Sequence, residues 1–235
     1  MAVYAGVDTF WMAHDNRGRL HAAKKGIVQD GLVLNLDAGV AQSYSGTGTT
    51  WTDLSGNGNN GTLTNGPVFN SDRGGSIVFD GTNDYVQFSS VSVQTICFWG
   101  RMDADIGNLA GLVCTSANGD GSLRTVFGNG SRTFRINPDG NDFHAGYASS
   151  FMINGFTNLP SDGGANGLLI PNGRTLAQDF FVGAIGDARN LSTISHTFLN
   201  RVYKGRVYAV CLYNRKLTKA ELLQNFNVPR KRFGV

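Results

Sequence analysis

Paired carboxylates are the residues in this sequence whose spacing could support acid–base catalysis. Hydrolysis of a glycosidic bond needs two carboxyl groups held about 5 to 10 Å apart. The single glutamate, Glu221, follows Thr218 at the spacing of a helix capping box, which already gives its side chain a role. Asp103 and Asp105 could share one face of a strand, but they follow Gly100 at a predicted strand end. We therefore predict no catalytic carboxylate pair.

The other groups that could act as nucleophiles, bases or metal ligands are widely separated along the chain. The four histidines lie in no nucleophile elbow and in no metal-binding motif. The three cysteines have no zinc-ligand spacing, and two of them lie in apolar runs, so buried reduced thiols are expected. The sequence predicts no catalytic residue and a protein that is not an enzyme. The histidines and cysteines considered are His14, His21, His144, His196, Cys97, Cys114 and Cys211.

Composition argues against two classes of binding protein. Charged residues make up 16% of the chain, below the roughly 25% of ordinary domains. The net charge of +3 equals the charge of Arg230, Lys231 and Arg232, so no broad basic face for nucleic acid is expected. No run approaches the roughly 20 apolar residues of a membrane span, and the N-terminus shows no secretory leader. We expect neither nucleic acid nor membrane as a partner, and assembly in a cytoplasm.

Short strand-like runs bounded by Gly, Asn and Asp recur from residue 31 onward. Many short strands with frequent turns are typical of a β-sandwich or barrel. The run at residues 206–213 is apolar at successive positions, which predicts a strand covered on both faces. Because side chains alternate along a strand, Val207, Ala209 and Cys211 are predicted to share one face of this strand. Tyr208, Val210 and Leu212 are predicted to share the other.

One short helix is predicted after the last strand. Thr218 and Glu221 form a capping box, in which each side chain bonds the other residue's backbone N–H group. Leu217 and Leu222 have the spacing of the hydrophobic contact that often accompanies such a cap. The helix should end near Asn227, because the proline two residues later disfavours helical geometry before it.

Three segments in a fixed order resemble one known family. They are GLVLNLDAG (31–39) with WTDLSGNGNNGTL (51–63), GSIVFDGTNDYV (75–86), and GRVYAVCLYNRKLT (205–218). Together they resemble the laminin-G-like, concanavalin A-like jelly-roll domains. The last residues, 222–235, resemble the close of bacteriophage structural proteins that carry this domain.

The resemblance implies a fold and a domain organisation. It implies an all-β, two-sheet antiparallel jelly-roll sandwich with one short C-terminal helix. Jelly rolls bring early and late strands together, so the strands near Leu32–Asp37 and Arg206–Tyr213 are expected to be neighbours in one sheet. The implied organisation is an N-terminal arm (1–30), the sandwich (31–227) and a basic C-terminal tail (228–235). The tail is expected in solvent or on an acidic protein surface.

The resemblance also implies a cofactor, since laminin-G-like domains often bind Ca²⁺. Calcium prefers side-chain and backbone oxygens, which two loops of this chain offer. Asp53 and Asn57 lie in one loop, and Asp80 and Asp84 lie in the other. The alternative, which we favour, is turn chemistry, in which Asp and Asn side chains bond their own backbone.

The function that the resemblance implies is that of a virion structural protein acting through protein contacts, as a capsid decoration protein or a neck, tail or fibre component. Its partners would be other virion proteins or further copies of the chain. The alternative is a carbohydrate-binding module for a host-surface glycan. Aromatic residues in Gly- and Asn-rich stretches could form its sugar platform, or they could be loop plugs and subunit contacts, which we favour. They are Tyr44, Trp51, Tyr147 and Phe156.

The first 30 residues carry an apolar cluster outside the recognised domain. Such clusters, when exposed, usually mark an interface. We therefore predict that this arm packs against another chain and anchors the sandwich. The predicted interface residues are Val3, Tyr4, Phe10, Trp11 and Met12.

Overall fold

The fold is built from antiparallel strands followed by one α-helix, among the residues that the computed structural model describes. These are residues 10–14, 20–24, 26–104, 109–114, 123–128, 131–136, 157–158, 168–170, 179–195 and 202–233. The strands are β1 (Phe10–His14), β2 (Leu20–Lys24), β3 (Leu32–Asp37), β4 (Thr50–Trp51), β5 (Gly61–Thr64), β6 (Val68–Asn70), β7 (Ser76–Asp80), β8 (Tyr85–Met102), β9 (Leu109–Cys114), β10 (Leu123–Gly128), β11 (Ser131–Ile136), β12 (Thr157–Asn158), β13 (Leu168–Ile170), β14 (Asp179–Ile194) and β15 (Lys204–Tyr213). Helix α1 spans Lys219–Asn227, and two 3₁₀ helices span Asp72–Gly74 and Arg230–Phe233.

Thirteen of these strands form one curled antiparallel sheet. Its hydrogen-bonded order is β11-β10-β9-β14-β8-β15-β7-β6, with β3 also on β15 and β5 also on β8. Strand β8 is 18 residues long and pairs with β5 through residues 85–87 and with β15 through residues 95–102. The predicted all-β sandwich is confirmed. Its described strands form one continuous sheet, because long strands such as β8 pair with different neighbours at their two ends.

The first and last strands of the sandwich are neighbours. β3 pairs antiparallel with β15, from Asp37 opposite Ala209 to Leu32 opposite Tyr213. This confirms the pairing that the family resemblance implied. Strand β15 is central, since it pairs with β3, β7 and β8 and is buried on both faces. The expectation that β3 is central too is wrong, because among the described strands it pairs with β15 alone and its burial alternates along the strand.

Strand β15 departs from strict alternation at Tyr208. Val207 lies opposite Gly100 and Ala209 lies opposite Trp99, so Tyr208 is an extra residue in β15. Such a β-bulge puts two residues of one strand against one of its partner. The predicted faces are therefore wrong at the N-terminal end of the strand. Val207 lies in the inner core, whereas Tyr208 lies on the outer face with Ala209.

The inner core fills the space between the layers. It is assembled from alternate residues of the strands, as in β3, where Leu34 and Leu36 are fully buried. Each such side chain stabilises the fold by about 1.5 to 3 kcal/mol on burial. Other fully buried members are Trp51, Ile77, Val86, Val93, Ile96, Phe98, Leu112, Val113, Val182, Leu191, Ile194, Tyr203, Val207, Val210 and Leu212.

A second apolar cluster lies on the outer face of β8, β14 and β15. We call α1 and the 3₁₀ helix Arg230–Phe233 the C-terminal cover, because their side chains pack on this cluster. The Trp99 ring stacks on Phe226 at a centroid distance of 5.2 Å and on Phe233 at 4.4 Å. Arg232 donates hydrogen bonds to Asp37 and to the Gly75 carbonyl. The described part of the predicted basic tail is thus packed on the sandwich.

Helix α1 begins as predicted. The Thr218 hydroxyl accepts a hydrogen bond from the Glu221 amide, and the Glu221 carboxylate accepts one from the Thr218 amide. Leu217 and Leu222 are both buried in the outer cluster, and the helix ends at Asn227. Among the described residues, no helix has the length and apolar character needed to span a membrane.

Candidate functional site

The outer face of β14, β8 and β15 changes character between two adjacent rows of residues. Phe181 and Trp99 lie opposite each other beneath the C-terminal cover. Two residues along the same strands, Asp179 lies opposite Arg101, which lies opposite Arg206. Residues two apart in a strand share a face, so the apolar and charged rows lie side by side. We define the charged face by six residues: Asp72, Arg73, Arg101, Asp103, Asp179 and Arg206.

The charged face is held together by ion pairs, two of which join the 3₁₀ helix Asp72–Gly74 to β15 and β14. Arg101 Nε lies 2.6 Å from Asp103 Oδ1, and Arg206 Nη1 lies 2.8 Å from Asp72 Oδ2. Arg73 Nε lies 3.0 Å from Asp179 Oδ2. Like charges directly opposite in a sheet are destabilising, as Arg101 and Arg206 would be alone. Asp103 relieves this repulsion, because its second oxygen lies 3.7 Å from Arg206 Nε.

The boundary between the two rows is marked by Tyr208. Its ring packs edge-on against Phe233 of the cover at a centroid distance of 4.9 Å, and its hydroxyl donates a hydrogen bond to Asp179. Burial, followed by this bond to a carboxylate, raises the pKa of Tyr208. The hydrogen bond to Asp72 raises the pKa of Arg206. At neutral pH the Tyr208 phenol is therefore neutral and the Arg206 guanidinium is charged.

The arrangement suits recognition of a polar partner. Guanidinium groups donate several hydrogen bonds in one plane, and carboxylates accept them. Asp72 and Arg73 are the more exposed members, with side-chain exposures of 67% and 48%. The other four are partly buried, and two of them, Arg206 and Asp179, form the ion pairs with the exposed pair. The sequence gives little sign of this face, because its residues come from four separate segments.

The first predicted calcium loop is organised around Asp53. Its Oδ1 accepts hydrogen bonds from the amides of Asn35 and Ser55, and its Oδ2 accepts them from the Asn59 amide and the Ser55 hydroxyl. Four donors match the roughly four lone-pair sites of a carboxylate. Asn57 points its amide nitrogen at the Leu32 carbonyl, 2.9 Å away. The bonds from Ser55 and Asn59 are the local turn bonds that the alternative to calcium describes, whereas those involving Asn35 and Leu32 join the loop to β3.

The second predicted loop brings Asp80 and Asp84 together. Asp84 is buried and its Oδ2 accepts a hydrogen bond from the Asp80 amide, while Asp80 Oδ1 accepts one from the Thr82 amide. Burial, and secondarily the charge of Asp80, raises the pKa of Asp84. Within the described residues, no three His, Cys, Asp or Glu side chains are grouped as a metal site would need.

The two predicted sugar-platform residues that the structure describes are buried. Trp51 is fully buried in the inner core, and Tyr44 is 5% exposed. The Tyr44 ring lies 5.6 Å from the Phe69 ring, measured between ring centroids, and the Tyr44 hydroxyl donates a hydrogen bond to the Gly48 carbonyl. Neither ring offers a face to a sugar, which corrects their proposed role and agrees with the interpretation as loop plugs. Tyr147 and Phe156 lie outside the described residues.

The predicted interface residues fall in the N-terminal part. Val3 and Tyr4 lie outside the described residues. Phe10, Trp11 and Met12 lie on β1, which pairs with β2 to form a two-stranded sheet separate from the sandwich sheet. We call β1 and β2 the hairpin.

Comparisons with known proteins find the fold but no family. No family model matches the sequence, and no curated protein matches it. Among solved structures, Trypanosoma rangeli sialidase in complex with 2,3-difluorosialic acid matches with a TM-score of 0.50 and 14% identity, over 85% of this chain and 33% of that chain. A mutant of the same sialidase displaying trans-sialidase activity matches with a TM-score of 0.48 and 16% identity, over 91% of this chain and 35% of that chain. The binding domain of Paraclostridial Mosquitocidal Protein 1 matches with a TM-score of 0.48 and 18% identity, over 85% of this chain and 52% of that chain.

The likeness to the sialidase complex, with its TM-score of 0.50 and 14% identity, shows the β-sandwich fold alone. This chain spans about a third to a half of the matched chains. The sialidase likeness still corrects one prediction. The sequence was interpreted as that of a protein that is not an enzyme, but the structures that share its fold include sialidases. The lack of paired glutamates therefore does not exclude an enzyme.

Proposed function

We propose that this chain is a structural component of a virus particle that acts through protein contacts, with the hairpin as its attachment element. The observation that supports the proposal is the hairpin itself. It forms its own two-stranded sheet, with Phe10 opposite Lys24 and His14 opposite Leu20. In the part of the chain with described structure, neither strand pairs with a strand of the sandwich.

A hairpin of this size needs a covering surface. Each strand has five residues, and an isolated two-stranded hairpin is at best marginally stable in water. Its first strand carries Phe10, Trp11 and Met12 in succession, so it has apolar groups to bury. In this proposal a surface of another chain in the particle provides that cover. The close of the sequence, with its resemblance to phage structural proteins, supports the same assignment to the virion.

The test is the presence and number of copies in purified particles. Quantitative mass spectrometry of particles whose genome encodes this chain should find it in stoichiometric amounts. Hundreds of copies would favour capsid decoration, and a few copies would favour a neck, tail or fibre position. A chain lacking residues 1–24 should fold as the full chain does but be lost from the particles. Absence of the full chain from particles would contradict the proposal.

A second candidate function is binding of a host-surface glycan, and the charged face is the observation that favours it. The face carries planar donors and acceptors on sheet residues, and the more exposed pair is accessible to a ligand. The experiment is binding of the full chain to a glycan array. Arg73→Gln should reduce any signal, whereas Lys219→Gln, an exposed charge on α1, serves as the control. Equal signals from all three proteins would contradict a glycan site on this face.

Calcium binding remains a proposal for the Asp80–Asp84 loop. A cation would offset the repulsion between the two carboxylates, which contributes to the raised pKa of Asp84. We expect calcium, and not an equal concentration of magnesium, to raise the melting temperature of the full chain. Asp80→Asn should abolish the shift. A melting temperature that ignores calcium would contradict the proposal.

A further inference from the structure

The backbone of Val28 is bonded by side chains in place of a neighbouring strand. Its amide donates to Asn225 Oδ1 at 2.8 Å, and its carbonyl accepts a bond from the Tyr213 hydroxyl at 3.0 Å. Asn225 Nδ2 donates to the same hydroxyl at 2.9 Å, which closes the network. Two side chains from β15 and α1 thus hold both polar groups of one backbone residue.

These bonds are buried and therefore costly to break. Tyr213 is fully buried, Asn225 is 2% exposed and Val28 is 7% exposed. A buried donor or acceptor that loses its partner costs about 1 to 3 kcal/mol, because no water replaces the bond. A fully satisfied buried network also specifies one arrangement of the groups that it joins. The path of the chain at Val28 is accordingly fixed.

A third hydrogen bond holds the backbone two residues before Val28. Gln224 Nε2 donates to the Gly26 carbonyl at 2.6 Å. The Val28 side chain is part of the outer cluster, and Ile27 packs against it. We call Tyr213, Gln224 and Asn225 the clamp, because they bond the backbone of residues 26–28.

The position of the clamp relative to the hairpin gives it a role. Strand β2 ends at Lys24, and the clamped backbone begins at Gly26, so one residue separates them in sequence. A residue spans at most about 3.6 Å of extended chain. The end of the hairpin therefore lies within roughly 7 Å of a fixed point on the sandwich.

We infer that Tyr213 and Asn225 are positioning residues that set where the hairpin leaves the sandwich and so prepare it for docking on its partner. The inference rests on the proposed attachment role of the hairpin. A hairpin held at its base loses less conformational freedom on docking than one on a free linker, which favours binding.

Tyr213→Phe tests the clamp, and Tyr203→Phe is its matched control. Both tyrosines are fully buried and both hydroxyls bond backbone carbonyls, but Tyr203 bonds Arg101 and Arg206, away from the clamp. Amide hydrogen exchange of the full-length chain should be at least tenfold faster at the Val28 amide in Tyr213→Phe, because the network that holds this amide on Asn225 loses one member. In Tyr203→Phe the Val28 amide should exchange as in the unaltered chain. Asn225→Ala should reproduce the effect at the Val28 amide.

Incorporation into particles is the second readout, and it separates the clamp from mere stability. At equal melting temperatures, Tyr213→Phe should be incorporated several-fold less than Tyr203→Phe. Unchanged exchange at the Val28 amide in Tyr213→Phe and Asn225→Ala would overturn the clamp, whatever the particles show. Faster exchange with equal incorporation of the two variants would overturn the positioning role. Absence of the unaltered chain from particles would instead overturn the proposed function.

Discussion

The outer apolar cluster beneath the C-terminal cover, which we call the covered half, meets the charged face on β14, β8 and β15, where the two rows of residues lie two positions apart. Trp99 and Phe181 are sealed beneath the C-terminal cover, whereas Arg101 and Asp179 remain partly open to solvent. Burial of large apolar side chains is the main source of stability, and ion pairs near the surface contribute little. The comparison teaches that the contacts that stabilise the fold most are concentrated in one part of these strands, while the charged part next to it contributes little stability. Substitutions should therefore act very differently in the two halves.

The largest effect is expected in the covered half. Phe226→Ala should lower the free energy of unfolding by about 3 to 5 kcal/mol, because it removes a buried ring stacked on Trp99. Chemical denaturation of the full chain measures this. Phe226→Leu, which keeps most of the volume, should cost clearly less. A loss below about 1 kcal/mol for the alanine variant would mean that the cover is only loosely docked.

A large effect is also expected at Gly205, where β15 passes the charged face. Its φ of +153° is rare for other residues, and an added Cβ would lie 2.0 Å from the Arg101 carbonyl oxygen. Gly205→Ala should cost about 3 kcal/mol. Gly58→Ala is the control, since its φ is also positive but an added Cβ meets nothing within 4 Å. Equal losses from the two would show that the close approach of β8 and β15 is unimportant.

The helix cap should contribute an intermediate amount. Thr218→Ala removes the hydroxyl that accepts from the Glu221 amide and should cost about 1 kcal/mol. For the cap contacts alone, Glu221→Gln should be milder, because a glutamine can keep the reciprocal bond to the Thr218 amide. Thermal denaturation of both variants checks the order. A larger loss from Glu221→Gln would assign the stability to the ion pair with Arg215.

That ion pair predicts a dependence of stability on pH. The Arg215 guanidinium, 2.6 Å from Glu221, is the main reason that the pKa of Glu221 falls to about 2 from an ordinary value of 4.5. A carboxyl group with a lowered pKa in the folded state stabilises the fold above the unfolded pKa. The contribution should therefore be lost as pH falls from about 4.5 towards 2. Glu221→Gln should flatten the stability profile in this window, and an unchanged profile would contradict the assignment.

The smallest effect is expected on the charged face. Arg73→Gln removes an ion pair whose arginine is 48% exposed, so the free energy of unfolding should change by less than about 1 kcal/mol. Denaturation in low and high salt measures it, and the small difference should shrink further in high salt. A loss comparable to that of Phe226→Ala would remove the distinction between the two halves.

The sequence predicted features that depend on local pattern. The capping box needs residues three apart, and the strands show themselves by turn residues and apolar runs. Pairing of β3 with β15 joins residues more than 170 apart, and it came from the family resemblance. The charged face was missed because Arg73 and Asp179 meet only through the register of several strands. Tyr44 and Trp51 were ambiguous because a Gly- and Ser-rich context does not reveal which way a ring points.

The bulge in β15 has a consequence for insertions and deletions. Because Tyr208 is the extra residue, its removal would leave a strand that alternates regularly, with Val207 still facing inward and Ala209 still facing outward. The strand can thus gain or lose this one residue without changing which way the side chains on either side of it face. What the insertion adds is a side chain that touches both the cover and the charged face. One extra residue of this kind links two surfaces that a regular strand would keep apart.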